Sequence, residues 1–449
     1  MKNKIAFNSQ YPDITNSDKL YERALKIMTP VTQTLAKGPG QFVKGIAPKY
    51  LTKGKGSHVW DVDGNEYLDY NMGIGPISLG YCYDKVDDAI IEQLKDGITF
   101  SLMHNSEVEL AELVREIIPN AESIRISKTG ADVCSAAVRV ARAFTGRKKV
   151  LCCGYHGWHD WYIGVTSRNK GIPEETSNLS YTFNYNDIDS VKEALDEDVA
   201  CVILEPFVFE EPKNNFLYEL QKVCRANGTL LIFDEMWTGF RISLGGAQEY
   251  FDVKPDLAVY SKAFANGMPI SLLTGRKDVV ELFNNEVFFF TTFGGEALSI
   301  AAAIATIKEM KEKNVQAYLA KQGKKLKDGY NKIAFELGIS NYTKCSGYDC
   351  RTIVTFDASA GDPLLLKSLV QQEMIKRGIL WGGFHNMCFS HTDEDIEYTL
   401  KAYADVLPIL KKAIEENNVK DLLKGESVEA VFRKVSNFNM KPKAVLAKN

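Results

Sequence analysis

A chain of 449 residues with 45% hydrophobic and 25% charged side chains has ordinary globular content and enough apolar mass for a large core. Its formal net charge of −4 offers no field to hold nucleic acid or an anionic membrane, and no basic block with interleaved aromatics replaces one. No apolar run approaches the roughly 18 residues of a membrane span, and the start, Met1 to Asn8, turns polar before a signal-peptide core develops, so a cytoplasmic protein acting on small molecules is expected.

The nine cysteines are odd in number and lack paired C-x-x-C spacing. With Cys152, Cys153 and Cys201 in apolar runs, they read as reduced thiols packed in the core. Residues 1 to about 36 read as a helical arm, with Leu20, Ala24, Leu25 and Met28 at helical spacing and Thr29-Pro30 as its stop. Trp60 to Tyr70 reads as a hairpin turning at Asp63-Gly64-Asn65. The glycine-rich stretch Gly73 to Gly80 fails as a dinucleotide fingerprint, because Ser78 stands at the third glycine position and Pro76 removes an amide that pyrophosphate would need.

Helical patterns follow at about 84–96 and 106–118. A short strand, Ile124 to Ser127, then enters the turn Lys128-Thr129-Gly130-Ala131-Asp132 and a long helix with Val133, Ala137, Val140 and Ala141 on one face. Free amides and the positive helix end make this turn an anion site, with a ligand-free helix cap as the alternative. Val150 to Gly154 is a buried strand leading into Tyr155-His156-Gly157-Trp158-His159-Asp160. Two histidines and an acid in one short loop make a poor metal site, so no metal is expected. Val199 to Leu204 is another buried strand, ending in Glu205-Pro206.

Leu230 to Glu235 and Leu257 to Lys262 are short apolar runs that end abruptly in ionisable groups, as buried parallel strands do when they carry charge to the carboxyl edge of a sheet. An acid ending one strand and a lysine ending a later one suit pyridoxal phosphate, which needs an amine for its aldehyde and a carboxylate for its ring nitrogen. Lys262 and Asp234 take those roles here, with a plain structural ion pair as the alternative. Ile270 to Arg276 reads as a strand turning back, 288–296 as a loop, 296–313 as an Ala-rich helix, Thr352 to Phe356 as a strand, and 362–377 and 393–415 as helices. The last thirty or so residues are charged without a clear apolar stripe, a docked arm or a loose tail.

Asp234-Glu235-Met236-Trp237-Thr238-Gly239-Phe240-Arg241, Gly245-Gly246-Ala247-Gln248, Pro255-Asp256-Leu257, Lys262-Ala263 and Asn266-Gly267-Met268-Pro269 together resemble the class III, fold-type I pyridoxal-phosphate aminotransferases, in particular their glutamate-1-semialdehyde 2,1-aminomutase-like branch. The resemblance runs from about Lys37 to about Leu400. It implies an α/β fold: a large domain at about 81–310 with a mostly parallel seven-stranded sheet wrapped by helices, and a smaller α+β domain built from 1–80 and 311–449. It also implies a homodimer with shared active sites. By resemblance the cofactor phosphate sits on Thr129, Gly130 and Ala131, the last lacking the hydroxyl most relatives carry. Tyr155 stacks on the cofactor ring, and Thr292 reaches the phosphate of the partner subunit's cofactor. Glu205 faces the active-site region as an orienting acid. Glu296, where relatives have Asn-Pro or His-Pro, is a candidate specificity residue; Trp381 and His385 in the loop 381–387 are candidates to line the acceptor pocket, with a satisfied loop or core histidine as the alternative for His385. Arg241 is either a substrate-carboxylate ligand or a brace of its own loop.

The implied chemistry is ping-pong amino transfer from an amino donor to an aldehyde or ketone acceptor. Lys262 is held as a Schiff base and then released as the proton-moving base, and pyridoxamine phosphate is the intermediate form of the cofactor. Ile74 before Gly75-Pro76, and the short 381–387 loop, depart from the aminomutase pattern. The Tyr155–Trp158 and Thr292–Glu296 segments resemble relatives of surface-polysaccharide pathways, which implies a sugar-derived or other hydroxylated acceptor. An intramolecular aminomutase and a non-catalytic cofactor-binding protein are the competing classes.

Overall fold

The computed structural model describes residues 10–207 and 210–430. They divide into two compact units, one running from Lys85 to Lys313 and one built from the residues up to Asp84 together with those from Asn314 onward. The charged chain end falls largely outside the described residues.

The Lys85–Lys313 unit is built on a seven-stranded sheet in the spatial order Ser123–Ser127, Ser271–Gly275, Leu257–Tyr260, Leu230–Asp234, Val199–Leu204, Lys149–Cys153, Ser180–Thr182. Ser271–Gly275 pairs antiparallel with both neighbours, and every other pairing is parallel. Four of these strands are buried at every position, which is why they read as unbroken apolar runs rather than alternating ones. The helix Gly130–Thr145 covers part of the sheet: Val133, Ala137, Val140 and Ala141 share one core with Val150, Ile203, Ile232, Val259 and Leu273. Each fully buried valine, isoleucine or leucine there stabilises the fold by about 1.5–3 kcal/mol. The helix ends at Gly146, whose φ of +68° is the left-handed C-terminal conformation that glycine adopts without strain.

This topology gathers the expected residues. The strands ending at Ser127, Cys153, Leu204, Asp234 and Tyr260 all point the same way, so Thr129, Tyr155, Glu205, Asp234 and Lys262 follow from one carboxyl edge of one sheet.

In the other unit, the hairpin forms between His58–Asp61 and Glu66–Asp69. Asp61 braces its turn by accepting from the Asp63 and Asn65 amides. These strands join Leu51–Lys55 and Ile379–Leu380 in a four-stranded sheet, and a second sheet comprises Thr343–Ser346, Arg351–Phe356 and Phe384–Asn386. Helices Val315–Glu336, Pro363–Lys376 and Asp393–Glu415 pack with them. The first helix is shorter than its sequence suggests, Thr15–Leu25, and of the expected stripe Ala24 alone is fully buried, with Leu25 exposed.

Candidate active site

Asp234 ends its strand with no exposed surface. A carboxylate so placed is costly unless its oxygens are bonded. Oδ1 accepts from the Met236 amide at 3.0 Å. Oδ2 lies 2.7 Å from His156 Nδ1 and accepts from Cys134 Sγ at 3.6 Å. His156 is itself 1% exposed, and its Nε2 has no hydrogen-bond partner in the protein. A proton on Nδ1 would point at the carboxylate, which can only accept when ionised.

Lys262 begins a short turn at Lys262–Ala265, two residues beyond the Leu257–Tyr260 strand. Its φ of +59° is left-handed, uncommon for a side chain of this size, and such conformations cost of order 1–3 kcal/mol. The surroundings impose it: Ser261 Oγ donates to the Ile270 carbonyl at 2.7 Å, and Ala263, Phe264 and Ala265 are buried. Asp234 and Lys262 act on one shared neighbour. Burial pushes the Cys134 thiol well above its usual pKa, Asp234 pushes it further, and Lys262 pulls it down. Cys134 therefore stays protonated and donates to Asp234. Among the described residues Cys134, His156 and Asp234 are the group of ligand-type side chains that converges, their ligand atoms all within 4.8 Å of one another. His159, grouped with His156 in the sequence, lies elsewhere, with Nδ1 2.6 Å from Ser135 Oγ.

The anion turn is shaped by its cap. Thr129 Oγ1 accepts from the Asp132 amide, and the Asp132 carboxylate accepts from the Thr129 amide. This reciprocal box uses two of the donors at the helix start and leaves the Gly130 and Ala131 amides at the positive end for an anion. The turn after the neighbouring strand closes onto it: at Gly157, with φ +99°, an added Cβ would stand 2.7 Å from that of Ala131.

Glu205 is buried and accepts from the Tyr155 amide at 2.9 Å, so it orients the segment that carries the Tyr155 ring, which is partly exposed and edge-on to Tyr162. Arg241 is buried, with its guanidinium 5.3 Å from the Trp237 ring. Thr292 is exposed. Glu296 bonds Lys128 Nζ at 2.8 Å and caps the helix Ala297–Glu312. Trp381 and His385 lie in the other unit, both without exposed surface. His385 has Nδ1 2.8 Å from Thr352 Oγ1 and Nε2 2.7 Å from the Tyr403 hydroxyl, and burial lowers its pKa to about 3. Both its ring nitrogens are engaged inside that unit.

Residues 44–341 match the model of the family described as aminotransferase class-III. Over 415 residues the chain is 37% identical to 3-aminobutyryl-CoA aminotransferase of Cloacimonas acidaminovorans, covering 89% of this chain and 99% of that one. Over 428 residues it is 34% identical to glutamate-1-semialdehyde 2,1-aminomutase of Archaeoglobus fulgidus, covering 88% and 100%. This chain belongs to the class-III aminotransferases. Among solved structures, the pyridoxal-phosphate internal aldimine form of FumI from Sphingopyxis sp. MTA144 superposes with a TM-score of 0.83 at 27% identity, covering 89% of this chain and 98% of FumI.

The aminotransferase has groups that fit the pyridoxal phosphate this family uses. A buried carboxylate bonded on both oxygens, a buried histidine nitrogen without a partner in the protein, a lysine in strained backbone and the start of a helix all follow from one sheet edge. Asp234 would hold the ring nitrogen, Lys262 the aldehyde carbon, and Gly130 and Ala131 the phosphate. His156 and Cys134, which support Asp234, were not assigned from sequence. Cys134 carries no local signal beyond an apolar helix face, whereas His156 directly follows Tyr155 at the end of a buried strand.

Proposed function

We propose that this aminotransferase moves an amino group from a small amino donor to an aldehyde or ketone acceptor in two half-reactions, as a homodimer in the cytoplasm. The observation that carries the reading is Asp234: a carboxylate sealed from water and held by an imidazole, a thiol and an amide at the sheet edge that Lys262 follows. When bound, pyridoxal phosphate supplies an aldehyde that condenses with amines and a ring that accepts electrons. Lys262 would hold the cofactor through its amine and, once displaced by the donor amine, would be the base that accepts the donor-carbon proton and passes it on as an ammonium. Asp234, bonded on both oxygens, would face the ring nitrogen as its acceptor. His156 and Cys134 keep that carboxylate in place, and Glu205 sets the Tyr155 segment for stacking. Thr129, Gly130 and Ala131 bind the phosphate.

An exposed apolar surface supports the dimer. Leu102 and Met103 are 83% and 87% exposed, and Phe288, Phe290 and Phe293 flank the exposed Thr292. The Ala297 amide donates to the Ile98 carbonyl at 2.9 Å and joins the two segments. Exposed aromatics on this scale are what a partner covers, and a second copy would receive Thr292 at its phosphate turn.

A sugar-derived acceptor is supported by the resemblance of the Tyr155–Trp158 and Thr292–Glu296 segments alone. The relatives' names span an acyl-CoA amine and a semialdehyde, and the aminomutase reading draws on the second. Titration of the purified protein with amino acids, amino sugars, 3-aminobutyryl-CoA and glutamate-1-semialdehyde, following the visible cofactor band, separates the readings. Bleaching by an external donor supports transamination. Conversion of the semialdehyde by aminated enzyme with no donor supports the mutase, and no response to any amine removes both.

A further inference from the structure

Lys128 and Glu296 are 168 residues apart and meet at 2.8 Å, with side chains 16% and 12% exposed. Lys128 directly precedes the anion turn, and Glu296 closes the 291–296 loop that carries Thr292. Glu296 is fully engaged: Oε1 accepts from the Leu298 and Ser299 amides, and Oε2 from Ser299 Oγ as well as Lys128. It is held below the usual carboxylate range: burial pushes it up, and the bonds from Lys128 and Ser299 outweigh that. The loop also presses on the strand that leads into the turn. An added Cβ at Gly294 would stand 3.3 Å from the Ile126 carbonyl oxygen, and one at Gly295 2.6 Å from Glu107 Oε1. Two further cations pin the preceding segment, Arg125 on the Phe289 carbonyl and Arg139 on the Phe288 carbonyl. The segment is thus bonded at Phe288, Phe289 and Glu296 on either side of Thr292, which is exposed.

We propose that the Lys128–Glu296 pair is a positioning clasp, fixing the Thr292 loop to the subunit's own phosphate turn so that cofactor binding in one subunit and docking onto the second copy strengthen each other. The inference rests on the cofactor and dimer readings above. It turns Glu296 from a specificity residue into a structural coupler. Coupling of this kind is reciprocal: the factor by which pyridoxal phosphate tightens the dimer is the factor by which dimerisation tightens pyridoxal phosphate.

The test uses the full-length protein stripped of cofactor and titrated with pyridoxal phosphate, with the dimer dissociation constant measured by sedimentation equilibrium in its presence and absence. Lys128→Met and Glu296→Gln should each weaken both cofactor retention and cofactor-dependent association by about tenfold, the double variant should be no worse than either single one, and Lys128→Arg should match the wild type. Binding of unphosphorylated pyridoxal should not move. Variants that hold cofactor and associate as the wild type does, or losses that simply add in the double variant, overturn the clasp alone. A wild type that takes up no pyridoxal phosphate, or stays monomeric with it, overturns both the clasp and the reading beneath it.

Discussion

His156 shows what a single residue contributes. Its sequence neighbours, Gly157, Trp158, His159 and Asp160, suggest nothing but a polar loop, yet the fold carries its Nδ1 to within 2.7 Å of a carboxylate 78 residues away. Asp234 and Lys262 were legible because each interrupts an apolar strand with a charge. His156 was not, because its role depends on a pairing that only the parallel sheet creates. His156→Phe should strand one buried carboxylate oxygen without its charged-group bond and cost about 1.5–3 kcal/mol in urea unfolding of the cofactor-free protein. It should also weaken pyridoxal phosphate binding, while His156→Asn, which can still donate, should recover part of both losses. Equal stability of the Phe variant would assign the imidazole no supporting role. His385 makes the opposite point: a loop histidine read as either a lining of the acceptor pocket or a satisfied core residue is fully buried and bonded at both ring nitrogens.

At the scale of the element, legibility followed the clarity of the apolar pattern. Val199–Leu204 and Leu230–Asp234 were found almost to the residue because burial on both faces leaves no polar position to blur them. The helix Val315–Glu336 went unread although it is 22 residues long, since its buried face includes Gln322 and Gly323, which break the stripe. The edge strand Ser180–Thr182 is too short to carry a period. Ile203→Ala, in the middle of the sheet core, should cost about 2–5 kcal/mol by denaturant titration.

The turn after Asp234 offers a pH test. Burial raises the Glu235 carboxyl to about 7, against bonds from the Ala247 amide, Thr238 and the Gln248 amide that lower it. Because the folded-state value exceeds the unfolded one, folding binds a proton between pH 4.5 and about 7. The stabilisation is complete below that window and fades as pH rises through it. Glu235→Gln should remove on the order of 3 kcal/mol of pH dependence across the window, measured as the difference in unfolding free energy from the wild type. Parallel pH profiles would contradict the assignment.

For the whole molecule, the sheet explains why the candidate residues sit where they do: they follow five strand ends that lie at one edge because their strands share a direction. The surface proposed to receive a second copy was legible only through resemblance, since exposed phenylalanines in sequence look like any apolar run. Phe290→Asp should shift the protein from dimer toward monomer in sedimentation velocity, by at least about tenfold in dissociation constant if it lies within a fully covered interface.

The central claim is that Lys262 holds a pyridoxal phosphate whose ring nitrogen rests on Asp234. It is tested most directly by the absorbance spectrum of purified wild type and Lys262→Ala after incubation with pyridoxal phosphate and gel filtration. The wild type should keep a visible band that an amino donor bleaches, and the variant should lack that band and turn over no substrate. A colourless wild type, or a variant with an unchanged band, would contradict it.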